Sequence, residues 1–245
     1  MAKKWLGQNF LNDGNIINQI SETFITTSND LIIEIGLGMG ALTKKLVIKD
    51  GDYLGYEIDT DLKDYLVKYQ TSNKNIIFDD FLKRDISKDI NKKYDNIYVI
   101  ANLPYYITTP IIEKITTLGL VKGMTLLVQK EVGERFLASN GTSTYGYFTA
   151  YLNYFYDMKK VIDVSRDKFN PSPKVDSMVV KFISNIKDNI DFESFNRFLK
   201  KCFINKRKTL RNNLGIDLEL YGYKNTVRAE ELSIYDLIDL FKKIK

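Results

Sequence analysis

The segment Ala101-Asn102-Leu103-Pro104-Tyr105-Tyr106 gathers residue types suited to hold a flat, amine-bearing ligand. Asn102 and the Leu103 carbonyl supply two hydrogen-bond acceptors, and Tyr105 or Tyr106 supplies an aromatic face. Pro104 fixes its own backbone and biases Leu103 toward an extended conformation, which keeps that carbonyl out of a helix. Two acceptors beside a ring form a receptor for a planar base with an exocyclic NH2 group. The first expectation is therefore chemistry at a nucleobase amine. A turn after a buried strand is the plainer alternative for the same six residues.

Such groups need elements that bring them together. Ile97-Tyr98-Val99-Ile100 is an apolar, β-branched run that predicts a buried parallel strand, with the motif at its carboxyl end. Open α/β sheets bind ligands at that end. Leu31 to Ile35 predicts another strand, which runs into Gly36-Leu37-Gly38-Met39-Gly40 and a helical stretch from Ala41 to Val47. Strand, glycine loop and helix can cradle a phosphate or nucleoside, because missing Cβ atoms let a ligand reach backbone amides. The spacing is G-x-G-x-G rather than the G-x-G-x-x-G of dinucleotide sites, and a glycine turn that only packs helix on sheet accounts for it as well.

A strand over Tyr53 to Ile58 places Glu57 about 20 residues past the glycines, where a carboxylate can accept from both ribose hydroxyls. The strand Ile76 to Phe78 leads to Asp79-Asp80-Phe81-Leu82, in which either acid can accept from an adenine amino group; Phe81 and Leu82 favour Asp80. The opening Lys3 to Leu11 is basic and aromatic, and reads as a solvated arm or as a lid closed by Asn9 and Leu11. Strands over Met124 to Val128 and Met178 to Phe182 follow, with helices after Thr109-Pro110 and from Gln129 to Leu137. The aromatic zone 145–156 reads as core, and Phe169, ahead of Pro171 and Pro173, as a stiff surface for a flipped base. Beyond a linker at 185–189 the pattern is helical: a Phe192, Phe195, Leu199, Phe203 stripe and a capping box at Ser233 to Asp236. Lys206, Arg207, Lys208 and Arg211 form the densest basic cluster, a solvated face or a phosphate grip.

Composition narrows the chemistry. The 245 residues contain no histidine and one cysteine, which excludes Ser–His and Cys–His catalysis, multi-cysteine metal sites and disulfides. No metal site is expected. Cys202 is expected to be a small packed hydrophobe. A net charge of +5 permits a nucleic-acid partner without requiring one. No apolar run approaches the roughly 20 residues of a membrane span. Asn9, Asp13 and Asn15 interrupt any secretory core, so a cytoplasmic location is expected.

Taken together, GQNFL (7–11), EIGLGMGALT (34–43), EID (57–59), DDFL (79–82), NLPYYITTPI (102–111), QKEVGERF (129–136), FNPSPKVDS (169–177), KRKTLRNNL (206–214) and RAEELS (228–233) resemble the ribosomal small-subunit RNA adenine dimethyltransferases over almost the whole chain. The resemblance implies an α/β, Rossmann-like S-adenosylmethionine-dependent methyltransferase fold: a mostly parallel seven-stranded sheet in residues 1–184, then a small all-helical RNA-binding domain in 185–245. It implies S-adenosylmethionine as cofactor, held by Asn9, Leu11, Gly36, Gly38, Glu57, Ile58, Asp80, Phe81 and Asn102. Catalytic positions would be Asn102, Leu103, Pro104 and Tyr105, with Tyr105 and Phe169 stacking on the target adenine. Lys206, Arg207, Lys208 and Arg211, helped by Lys3 and Lys4, would grip ribosomal RNA of the immature small subunit, and the enzyme would act as a monomer. Leu37, where many relatives carry proline, and Asp79, where many carry glycine, depart from the family pattern, and the tail is short. Rival readings are a large-subunit RNA adenine methyltransferase conferring macrolide resistance, a nicotinamide-dependent oxidoreductase, and a non-catalytic RNA-binding assembly factor.

Overall fold

The computed structural model describes residues 3, 7–90, 92–104 and 107–244. Its elements alternate as the apolar runs demand, since strands buried on both faces need helices to cover them. In chain order they are β1 (Phe10–Leu11), α1 (Gly14–Ser21), β2 (Leu31–Ile35), α2 (Thr43–Leu46), β3 (Asp52–Glu57), α3 (Lys63–Leu66), β4 (Lys74–Phe78), α4 (Ile86–Asp89) and β5 (Ile97–Asn102). Then follow α5 (Thr108–Thr117), β6 (Val121–Gln129), α6 (Lys130–Phe136), α7 (Tyr147–Phe155), β7 (Tyr156–Val164), β8 (Phe169–Asn170) and β9 (Ser177–Ser184). Helices α8 (Phe192–Cys202), α9 (Leu210–Leu214) and α10 (Ile234–Ile244) complete the chain.

Seven strands form one sheet in the order β4-β3-β2-β5-β6-β9-β7. Strands β2 to β6 run parallel, and β9 is antiparallel to β6. Because β3 lies on one side of β2 and β5 on the other, the sheet reverses its winding there, and a crevice opens beyond the carboxyl ends. Strand β7 escapes the sequence pattern. It closes one end of the strand order and is largely exposed, so Asp157, Lys159, Lys160 and Asp163 break its apolar signal. Helix α5 begins at Thr108, one residue before the expected cap, and Pro110 sits in its first turn, where a missing N–H costs nothing.

The chain divides into two compact units, Met1–Gly133 with Lys159–Ile183, and Glu134–Met158 with Ser184–Lys245. This corrects the simple division at 184: the aromatic stretch 134–158 joins the helical unit. The reason is ring packing. Tyr154 and Phe155 of α7 lie 5.0 and 4.4 Å from the Phe192 ring of α8. Phe195, Leu199, Leu237 and Phe241 fill that unit's core, and Cys202 is buried among them as a small hydrophobe. The Ser233–Asp236 capping box forms: the Ser233 amide donates to Asp236 Oδ2 (2.9 Å) and the Asp236 amide to Ser233 Oγ (3.2 Å). In the first unit, Ile32, Tyr53, Ile76, Ile100 and Leu127 pack against Ile17, Ile20, Leu46 and Leu66. No helix among the described residues is long and apolar enough to cross a membrane.

Candidate active site

Register sets the site before any side chain acts. Ile35 of β2 lies beside Tyr56 of β3 and Ala101 of β5, and Glu57 lies beside Phe78 of β4. Four strands therefore end at one level. Gly36, Gly38 and the segments 56–58, 79–82 and 102–104 wall a cleft open to solvent that Gly7, Gln8, Asn9 and Phe10 also line.

The glycine loop is shaped by close approach. Gly36 and Gly38 adopt φ of +74° and +55°, which favour glycine. A Cβ on Gly36 would stand 3.3 Å from the Asn102 carbonyl oxygen, and one on Gly38 would stand 2.9 Å from the Phe10 ring. The Gly36 amide donates to the Tyr56 carbonyl (2.9 Å), which ties the loop to β3.

Glu57 closes β3 in a buried position. Its Oε2 accepts from the Gly38 amide and its Oε1 from the Asp59 amide, both at 2.8 Å. Burial pushes the carboxyl above its usual range, and the two amide bonds pull it back. A carboxylate oxygen has more than one lone pair, so Glu57 can still accept ribose hydroxyls from the cleft.

Both acids of the next loop line the cleft. Asp79 pairs with Arg84 (3.3 Å), whereas Asp80 Oδ1 accepts from the Leu82 amide (2.9 Å) and shapes its own turn. Phe81 is buried, edge-on to the Tyr56 ring with centroids 5.2 Å apart. Lys114 of α5 locks this wall. Its ammonium donates to the carbonyls of Leu82 (2.8 Å) and Arg84 and lies 5.4 Å from the Phe81 centroid. Ile107 and Ile111, one helical turn apart, line the cleft from the same side.

At the tip of β5 the Asn102 amide is oriented by its neighbours. Nδ2 donates to the Asn9 carbonyl (3.2 Å), which leaves Oδ1 as the acceptor of the side chain. The Leu103 amide donates to the Leu127 carbonyl (3.2 Å), extending the ladder one residue beyond β5. The Pro104 carbonyl accepts from the Ile107 amide (3.2 Å) and starts the turn into α5.

Of the residues expected to bind cofactor or catalyse, Asn9, Gly36, Gly38, Glu57, Ile58, Asp80, Phe81, Asn102, Leu103 and Pro104 meet at the cleft. Two do not. Leu11 and Phe169 face each other across the short β1–β8 pairing and are buried in the core, while Leu11 also lines an adjoining smaller cavity together with Gly36, Gly38 and Asn102. A core position leaves Phe169 no face open to a base. Lys3 is also corrected: its ammonium is taken by Asp59 (2.5 Å) and Asp61 (2.7 Å) rather than free for phosphate. Tyr105 and Lys4 lie outside the described residues. The sequence reading missed Gln8, Phe10, Tyr56, Ile107 and Ile111. Adjacency to Asn9 and Glu57, and the i, i+4 spacing after the proline motif, were the available signals.

Lys206, Arg207, Lys208 and Arg211 are all exposed on the helical unit. Lys206 donates to the Ser143 carbonyl, and Thr209 caps α9 just ahead of Arg211.

Sheet order, glycine loop, strand-end carboxylates and the Asn-Leu-Pro tip define a Rossmann-like methyltransferase. A family model described as "Ribosomal RNA adenine dimethylase" matches residues 1–245. A "Ribosomal RNA small subunit methyltransferase A" from Thermotoga petrophila is 41% identical over 246 residues, covering 98% of this chain and 91% of that protein. The crystal structure of a dimethyladenosine transferase from Plasmodium falciparum superposes with a TM-score of 0.81 at 27% identity, covering 96% of this chain and 97% of the other. The 23S rRNA methyltransferase ErmE shares the fold, with a TM-score of 0.73 at 22% identity over 96% of this chain and 99% of its own. The chain belongs to the ribosomal RNA adenine dimethylase family. It is an S-adenosylmethionine-dependent methyltransferase.

Proposed function

We propose that this enzyme methylates the N6 amino groups of two adjacent adenosines in a hairpin near the 3′ end of small-subunit (16S) ribosomal RNA, twice each, during subunit assembly. The observation that carries the chemistry is the Asn102 amide, whose nitrogen is committed to Asn9 while its oxygen is left as an acceptor at the cleft. S-adenosylmethionine supplies an activated methyl group on a sulfonium. The donor set fits it: Glu57 for the ribose, Asp80 and Phe81 for the adenine, Gly36 and Gly38 for close backbone approach, and Asn9 beside Asn102.

An adenine amine is a poor nucleophile because its lone pair is delocalised into the ring. Asn102 Oδ1 and the Leu103 carbonyl accept its two N–H bonds, favouring a pyramidal nitrogen with its lone pair turned out of the ring plane. Positioning of this kind lowers the barrier to methyl transfer. The alkylated nitrogen is strongly acidic, so no histidine is needed to remove its proton. For the second transfer one N–H remains, and one acceptor suffices. Tyr105, next to Pro104, is the proposed stacking ring, such stacking being worth roughly 1–3 kcal/mol per base.

Recognition of the RNA is assigned to Lys206, Arg207, Lys208 and Arg211, which can neutralise phosphates of a structured hairpin. The enzyme is proposed to work as a cytoplasmic monomer without metal. Labelled methyl transfer to isolated small and large ribosomal subunits tests the assignment. Label should enter the small-subunit RNA; label confined to the large subunit would favour the macrolide-resistance type of enzyme instead.

A further inference from the structure

Asp59 is buried two residues beyond Glu57, with its side chain only 2% exposed. Two neighbouring buried carboxylates are expensive unless each is compensated by donors. Glu57 is compensated by the Gly38 and Asp59 amides. Asp59 draws its donors from the amino-terminal segment. Oδ1 accepts from the Lys3 ammonium (2.5 Å), and Oδ2 accepts from Gln8 Nε2 (2.7 Å). Gln8 Oε1 in turn accepts from the Lys3 amide (2.7 Å). The third donor to Asp59 is the Asp61 amide (3.2 Å), an ordinary cap of the turn that follows β3.

Gln8 is flanked by Gly7 and Asn9, and all three line the cleft. The Asn9 carbonyl is the group that orients the Asn102 amide. A continuous path of hydrogen bonds thus runs from Gly38 through Glu57, Asp59 and Gln8 to the strap that holds Asn102. We infer that Asp59 is a positioning residue: it latches the strap 7–10 across the cleft mouth, slows departure of the bound nucleoside, and fixes the catalytic amide. The inference rests on the cofactor reading above for its ligand, and on the strap contacts alone for the latch.

The test separates latch from cap. In Asp59→Asn the oxygen can stay at the Oδ1 position and keep the Asp61 cap, Asn being a good cap residue. The new NH2 then faces Gln8 Nε2, donor against donor, and one of the two carboxylate charges that hold Lys3 is gone. Hydrogen exchange of amides 7–10 and S-adenosylhomocysteine affinity are measured in the full-length wild type, D59N, D59A and Lys3→Met. D59N should speed exchange across 7–10 and weaken binding about tenfold, equivalent to about 1.4 kcal/mol. Lys3→Met, which leaves every cleft-lining residue in place, should shift both in the same direction by less. Turnover of D59N at saturating methyl donor should also fall, since Asn102 loses its fixed partner. If D59N matches wild type in exchange and affinity while only D59A fails, Asp59 is a cap and the latch is refuted. If the wild type itself binds no S-adenosylhomocysteine, the cofactor reading fails, and the exchange data still decide the latch.

Discussion

Replacing Glu57 by glutamine tests how the cleft grips its ligand. The change is isosteric, yet the structure predicts a large effect. Both carboxylate oxygens already accept backbone amides at 2.8 Å, from Gly38 and from Asp59. A glutamine has one oxygen, so its NH2 must face one of these N–H groups and an amide is left without an acceptor. An orphaned buried donor costs roughly 1–3 kcal/mol. Against that stands relief from burying a charge, which the raised Glu57 pKa records. These oppose one another, so thermal stability should move little. Ligand affinity has no such compensation. E57Q loses the charged acceptor for the ribose hydroxyls and loosens the turn at Gly38. A hydrogen bond to a charged group is worth roughly 1.5–3 kcal/mol, so affinity should fall about 10- to 150-fold. Calorimetric titration of S-adenosylhomocysteine into wild type and E57Q, with melting curves of both, reads the two quantities separately. Equal affinity in the two proteins would refute the ribose role. A collapse of melting temperature with unaltered affinity would assign Glu57 to structure alone.

Other outcomes follow from the same geometry. Burial pushes Glu34 up to about 8, and its proton stabilises the fold fully below about pH 4.5 and progressively less as pH rises toward 8. Glu34→Gln should therefore flatten the decline of stability across that window by up to about 1.4 kcal/mol per pH unit, measured by denaturation at a series of pH values. An unchanged pH slope would mean that Glu34 does not titrate there. Neutralising Lys206, Arg207, Lys208 and Arg211 together should weaken RNA binding and reduce the slope of log affinity against log salt by roughly 3 to 4, read by filter binding at several salt concentrations. An unaltered slope would leave the cluster a solvated face.

Much of the scaffold was legible because buried parallel strands are written as continuous apolar runs. Leu31–Ile35 appears where its pattern placed it, and the neighbouring strands differ only at their ends. That Gly36, Gly38, Glu57, Asp80 and Asn102 meet at one cleft was legible too, since each follows the end of such a run. What escaped depends on pairings between distant residues. The Asn102 amide is oriented by a carbonyl 93 positions away, and Asp59 is satisfied by a lysine 56 positions away. Leu11 and Phe169 meet through two-residue strands too short to carry any periodicity, so their burial could not be read locally. Strand β7 was hidden by its exposed charges, and residues 134–158 joined the helical unit through ring contacts that composition does not locate.

The central claim is that Asn102 presents an adenine amine to the methyl donor at the tip of β5. Single-turnover transfer of labelled methyl from S-adenosylmethionine to immature small subunits, by wild type and Asn102→Ala, tests it most directly. Wild type should label the RNA, and the variant should be slower by about 10²-fold or more, the usual effect of deleting a preorganised hydrogen-bonding group. Equal rates in the two proteins would contradict the account.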